Sequence, residues 1–123
     1  MSKGRVLLIA GDPDITRTLQ VYLEAHQFSV QTVDTGDAAI EACCQSPPDV
    51  VILDWNLPDM AGNLLCRQIR AHEGTRGTIL LVLTSADERD ARLAALEAGA
   101  DDIKTLPIDI EEIRLKIEEM LRR

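Results

Sequence analysis

Asp54 follows directly on the apolar run "VVIL", so a carboxylate stands at the end of a segment built from apolar residues. Burying such a group unpaired costs several kcal/mol. Two readings follow. Asp54 opens the turn "DWNLPDMAG", rich in residues that favour turns, or it is a reactive carboxylate at the mouth of a sheet. Thr84 ends a second run, "TILLVLT", and together with Ser85 and Asp87 it also reads as the cap of a following helix. Near the amino end, "LLIAGDPDI" breaks at Gly11 into two aspartates around Pro13. Asp12 is a suitable N-cap with proline in the first helical position, and Asp14 sits near the positive end of the helix dipole. Helix initiation alone explains both.

The remaining reactive side chains form no pattern. Cys43, Cys44 and Cys66 are odd in number and lack C-x-x-C spacing, which points to small core-lining residues rather than disulfides or a zinc site. His26 and His72 each lack a second histidine at helical spacing and read as surface residues.

The elements that must position these groups alternate. Five short apolar runs, "RVLLIA", "FSVQTV", "DVVILD", "TILLVLT" and "DDIKTL", read as strands. Between them, Ile15, Leu19, Tyr22 and Leu23 recur at helical spacing, as do Ile110, Ile113, Ile117 and Met120 or Leu121. The segments "DAAIEACCQ", "AGNLLCRQIRAH" and "ERDARLAALEAG" supply three further helices, the last stopping at Gly99. Five strand-helix units without internal repeats predict one α/β domain over residues 1–123, a parallel sheet covered on both faces. In such sheets ligands bind beyond the carboxyl ends of the strands, which is where Asp54 and Thr84 stand.

Composition narrows the function. A chain of 123 residues, 46% of them apolar, suffices for one core. The runs "VLLIA" and "ILLVL" fall far short of the roughly 20 residues needed to cross a bilayer. The apolar stretch behind "MSKGR" is too short for a signal-peptide core, so a cytoplasmic location without membrane attachment is expected. A net charge of −8 repels the phosphate backbone and argues against direct nucleic-acid binding.

The stretches "PPDVVILDWNLPDMAG", "LVLTSAD" and "LEAGADDIKTLPID" together resemble the receiver domain of bacterial two-component response regulators, in order and over the whole chain. "DWNLPDM" looks particularly close to the single-domain chemotaxis members of that family. The resemblance implies a flavodoxin-like (βα)5 fold with strand order 2-1-3-4-5. It implies that Asp54 is the phosphoryl acceptor for a histidine kinase, and that the Thr84 hydroxyl contacts the phosphoryl group. The protein would then be a phosphoprotein of a phosphorelay rather than an enzyme.

Several motif positions depart from the pattern. Receivers carry two acids at the end of strand one, and alignment on Pro13 places Ala10 and Gly11 there, with Asp12 one position late. The lysine expected before Pro107 is Leu106, and the switching aromatic expected three residues earlier is Ile103. Mg²⁺ wants near-octahedral oxygen coordination and offsets phosphoryl charge during transfer. A charge pair at about 4 Å is worth roughly 4 kcal/mol at an effective dielectric near 20, so these losses remove much of the site's electrostatics. No cofactor is therefore required. A hydrated Mg²⁺ on Asp12, Asp54 and the Asn56 carbonyl is the lesser expectation, and Lys104, two residues short of position 106, is not favoured as a substitute cation.

Three functions compete. A pseudo-receiver, regulating a protein partner by binding with weak or no Mg²⁺-dependent phosphorylation, is preferred on Ala10, Gly11, Ile103 and Leu106. A functional receiver phosphorylated on Asp54 is the alternative, supported by Asp54, Thr84 and the "LP" turn. A flavodoxin-like small-ligand binder ranks last, since fold does not decide function and only Tyr22, Phe28 and Trp55 could stack on a flavin. The expected partners are a histidine kinase or a downstream effector. A homodimer through helix four, strand five and helix five is a further expectation, from Arg89, Arg92, Asp101, Asp102, Glu111, Arg114 and Lys116. The chain closes on "EEMLRR", where helix five should finish, as expected of a single-domain protein or of a receiver separated from its effector.

Overall fold

Apolar side chains on both sides of a strand demand cover on both faces, and the sheet meets that demand. The computed structural model describes residues 2–85 and 89–122; Asp87 lies outside them, as does the side chain of Arg89. Strands β1 (Arg5–Ile9), β2 (Ser29–Val33), β3 (Val50–Asp54), β4 (Ile79–Thr84) and β5 (Asp102–Thr105) form one parallel sheet in the order 2-1-3-4-5. Helices α1 (Pro13–Ala25), α2 (Gly36–Gln45), α3 (Gly62–Ala71), α4 (Arg89–Glu97) and α5 (Ile110–Leu121) connect and follow the strands.

Alternation along the strands splits the core in two. Leu7, Ile9, Val51, Leu53, Leu80 and Val82 face α2, α3 and α4, where Ala39, Cys43, Leu65, Cys66, Ile69 and Ala95 meet them. Val6, Leu8, Val50, Ile52, Leu81 and Leu83 face α1 and α5, packing on Leu19, Leu23, Ile113 and Ile117. Each fully buried valine, leucine or isoleucine among them contributes about 2 kcal/mol relative to its exposed state. Together these faces hold the carboxyl ends of β1, β3 and β4 side by side.

Local signals set the helix ends. Asp12 Oδ1 accepts from the amides of Asp14 and Ile15 at 2.9 and 3.4 Å, with Pro13 opening α1. Asp109 caps α5 in the same way, through the amides of Glu111 and Glu112. Beyond α4, Gly99 takes φ +110°, a backbone region that glycine enters at no steric cost.

Two expectations need correction. Cys43 and Cys66 are buried, but Cys44 is exposed, because neighbouring helical residues point about 100° apart and α2 buries only one stripe. The second is His26, expected at the surface and found half-buried against α1; the chain after α3 forms a short 3₁₀ turn over Glu73–Thr75, held by the Thr75 hydroxyl donating to the Ile69 carbonyl. His72 is exposed, while His26 is half-buried with its ring 4.7 Å from that of Tyr22.

Candidate functional site

The carboxyl edge of the sheet carries the residues singled out in the sequence. β3 and β4 run in register, with Asp54 beside Leu83, and Thr84 stands beside Thr105 of β5. Asp54 shares parity with Val50 and Ile52 and so lies at the α1 and α5 side of the sheet. It is half-buried, and its Oδ1 accepts the Asn56 amide at 3.1 Å. Burial raises its carboxyl above the ordinary aspartate value. The Asn56 amide opposes that rise and the negative charge of Asp12 adds to it. The charge of Asp12 thus reaches Asp54 across the edge.

Asp12 itself is exposed and committed to starting α1, while Asp14 lies in the first turn of that helix. Ala10 is buried and donates its amide to the Val33 carbonyl at 3.2 Å, and Gly11 is exposed. Thr84 is buried at 3% exposure, and its carbonyl accepts the Leu106 amide at 2.8 Å. Asn56 is exposed and forms an isolated antiparallel bridge with Ala61. Among the described residues no three His, Cys, Asp or Glu side chains form a group that could hold a metal.

The cation nearest in sequence to position 106 has acidic partners of its own. Lys104 Nζ hydrogen-bonds Glu112 and lies 3.6 Å from Asp102, and the Glu112 bond raises its pKa. Leu106 occupies the position before Pro107 and is half-buried. Ile103 is 3% exposed and packs in the core with Val82 and Ala100.

The surface residues proposed from sequence separate into different places. Arg92 and Asp102 line one polar cleft with Lys104 and Glu112 between α4, β5 and α5. Asp101 lies at the opposite, amino edge of the sheet, paired with Arg70 at 2.8 Å and accepting the Leu80 amide. Arg114 lies on the seam between α5 and α1, where it donates to the Tyr22 hydroxyl at 3.0 Å and to Glu118. Neither of these two residues lines the cleft. The α4 and α5 side chains Leu93, Leu96 and Leu115 are exposed.

Two residues that the sequence did not single out tie distant segments together, Asp59 beside the site and Arg70 at the amino edge of the sheet. Asp59, in the loop after Asp54, accepts the amides of Gly36 and Asp37 at 2.7 and 3.0 Å, and these bonds lower its carboxyl. Arg70 donates to the carbonyls of Gly99, Arg76 and Thr78 as well as to Asp101. The positive φ of Gly99 brings its Cα against Arg70: a Cβ there would lie 2.6 Å from Arg70 Cγ. Neither residue carries a local signal, since each is defined by a partner more than 20 residues away.

No helix among the described residues is long and apolar enough to cross a membrane. Comparison with known proteins is consistent throughout. The Mycobacterium tuberculosis transcriptional regulatory protein KdpE is 37% identical over 121 residues, covering 96% of this chain and 51% of KdpE. The chain spans about half the length of the curated relatives it matches. A two-component response regulator from Clostridium difficile superposes with a TM-score of 0.93 at 29% identity, over 98% of each chain. The chemotaxis response regulator CheY4 of Vibrio cholerae, at 22% identity and a TM-score of 0.89, shares the fold. The response regulator receiver domain family matches residues 6–118, and the chain belongs to that family of two-component signal transduction.

Proposed function

We propose that this receiver domain works as a pseudo-receiver, regulating a protein partner by binding with little or no phosphorylation of Asp54. The observation that carries the reading is the electrostatic setting of Asp54. Burial and the neighbouring acid Asp12 raise its carboxyl, while Lys104 is spent on Asp102 and Glu112. An acceptor aspartate needs its negative charge, and the incoming phosphoryl group adds more. Without compensating cations both are disfavoured.

The same setting bears on Mg²⁺. Asp12 Oδ1 is engaged in capping α1, Asp54 Oδ1 accepts the Asn56 amide, and Ala10 and Gly11 offer no side-chain oxygen. Mg²⁺ dehydrates reluctantly and demands ordered oxygen ligands. These residues do not fit a tight Mg²⁺ site.

The alternative, a phosphorylated receiver, is favoured by the presence of Asp54 and Thr84 at the carboxyl edge of adjacent strands. In either case the partner surface we favour is the α4, β5 and α5 face. Its polar cleft holds both signs of charge beside the exposed Leu93, Leu96 and Leu115, a composition suited to a protein partner or a second copy.

Trp55, the only tryptophan, adjoins Asp54 and reports on the site. Titration with Mg²⁺ and then with a beryllofluoride phosphoryl mimic should leave its fluorescence unchanged at millimolar concentrations. A saturable change that disappears in Asp54→Asn would support the phosphorylated alternative instead.

A further inference from the structure

The geometry points to a direct mechanical link from Asp54 to the amino end of α2, carried by the loop of residues 55–61 with Asp59 as its contact. This goes beyond the reading above, because the link holds whether or not Asp54 takes up a phosphoryl group.

The loop is fastened at both ends. At its root Asp54 Oδ1 accepts the Asn56 amide, and the Trp55 amide donates to the Leu83 carbonyl at 2.8 Å. Asn56 then pairs with Ala61 across the loop, closing residues 56–61 into a lobe stiffened by Pro58. Trp55 lies so close over the start of α3 that a Cβ on Gly62 would stand 2.6 Å from Trp55 Cε3 and from its carbonyl oxygen. A displacement of Asp54 or Asn56 therefore cannot be absorbed by slack at the base.

At its tip the loop grips α2. The first four amides of a helix have no partner within it. In α2 the Ala39 amide makes the first helical bond, to the carbonyl of the N-cap Thr35, and of the three helical amides ahead of it that of Ala38 donates to the Thr35 hydroxyl. The other two, from Gly36 and Asp37, are taken by the two carboxylate oxygens of Asp59. Met60 closes on the same turn: a Cβ at Gly36 would lie 2.5 Å from Met60 Cγ and Sδ, so only glycine admits this approach. Of the three amides that open α2, two are thus capped by the lobe rooted at Asp54. On the other side of the site, Ile103 is buried and Lys104 is tied to α5, which holds β5 in place.

Amide-resolved hydrogen exchange on the intact chain tests the link. Asp59→Ala should speed exchange at Gly36 and Asp37 by about tenfold, the cost of one lost hydrogen bond. Asp54→Ala, which removes the acceptor for the Asn56 amide, should speed the same two amides by a similar factor of about ten. Asp54→Asn keeps a side-chain oxygen there and should have a much smaller effect. Combined with Asp59→Ala, the Asp54→Ala change should add nothing, because the contact through which it acts is already gone. Unaltered α2 amides in either single variant would overturn the inference. So would an undiminished Asp54→Ala effect in the Asp59→Ala background, or an equal acceleration of all core amides, which would mark general destabilisation.

Discussion

Lys104 of β5 hydrogen-bonds Glu112 of α5, so the basic side chain nearest in sequence to the missing lysine is committed to acidic partners of its own and holds the last helix to the sheet. Lys104→Ala should therefore leave the titration of Asp54 unchanged. Leu106→Lys, by contrast, should lower the Asp54 pKa by placing a cation at the strand end. Carboxyl chemical shifts followed across pH by NMR separate the two outcomes.

Asp54 also gives the fold a specific pH dependence. Its carboxyl is raised in the folded state, by burial first and by Asp12, so between the unfolded and folded values the native protein binds more protons than the unfolded chain. Stability from this group is then greatest at low pH and falls as pH rises through that window. Asp54→Asn should raise the melting temperature at pH 7, and its advantage should shrink in acid, below the carboxylate range. Asp59 works in the opposite sense. Its lowered carboxyl contributes at neutral pH and loses its effect as pH falls through its folded value. Thermal melts of wild type and each variant between acid and neutral pH measure both slopes.

Helix α3 starts without help. Its N-cap is Ala61, exposed, with extended φ and ψ of −70° and 143° and no side-chain bond to the first turn. Ala61→Ser fits that backbone and should stabilise the protein by about 1 kcal/mol in chemical denaturation.

Arg70 is the opposite case. Its guanidinium ties α3 to three carbonyls and to Asp101 at the amino edge of the sheet. Arg70→Ala should cost roughly 2 kcal/mol, since it strands half-buried acceptors. Arg70→Lys should recover only part, because an ammonium cannot reproduce the planar fork. The same denaturation experiment reads both.

The contrast between these residues shows which features a sequence displays. "VVIL" and "ILLVL" are apolar without alternation because both faces of β3 and β4 are covered, and that burial is visible in one dimension. Asp12 and Pro13 announce α1 because capping is local. Asp54 and Thr84 stand out because polar residues end apolar strands. The roles of Asp59, Arg70 and Arg114 were not legible: their partners at Gly36, Gly99 and Tyr22 are brought near only by the fold. Asp101 and Asp102 look equivalent in sequence, yet Asp101 stands before β5 and turns to Arg70, while Asp102 opens the strand and lines the α5 cleft. Cys44 was misplaced for a related reason, because one residue along a helix separates the core from solvent.

The proposed function has Asp54 in a site stripped of the charges that phosphorylation requires. Its most direct test is incubation of the protein with Mg²⁺ and a small-molecule phosphodonor, read by intact mass, with Asp54→Asn alongside and an active receiver as positive control. The expected result is no added phosphoryl group on the folded wild-type protein while the positive control is modified. One added group on the wild type, absent from Asp54→Asn, would contradict the claim and establish Asp54 as a working acceptor.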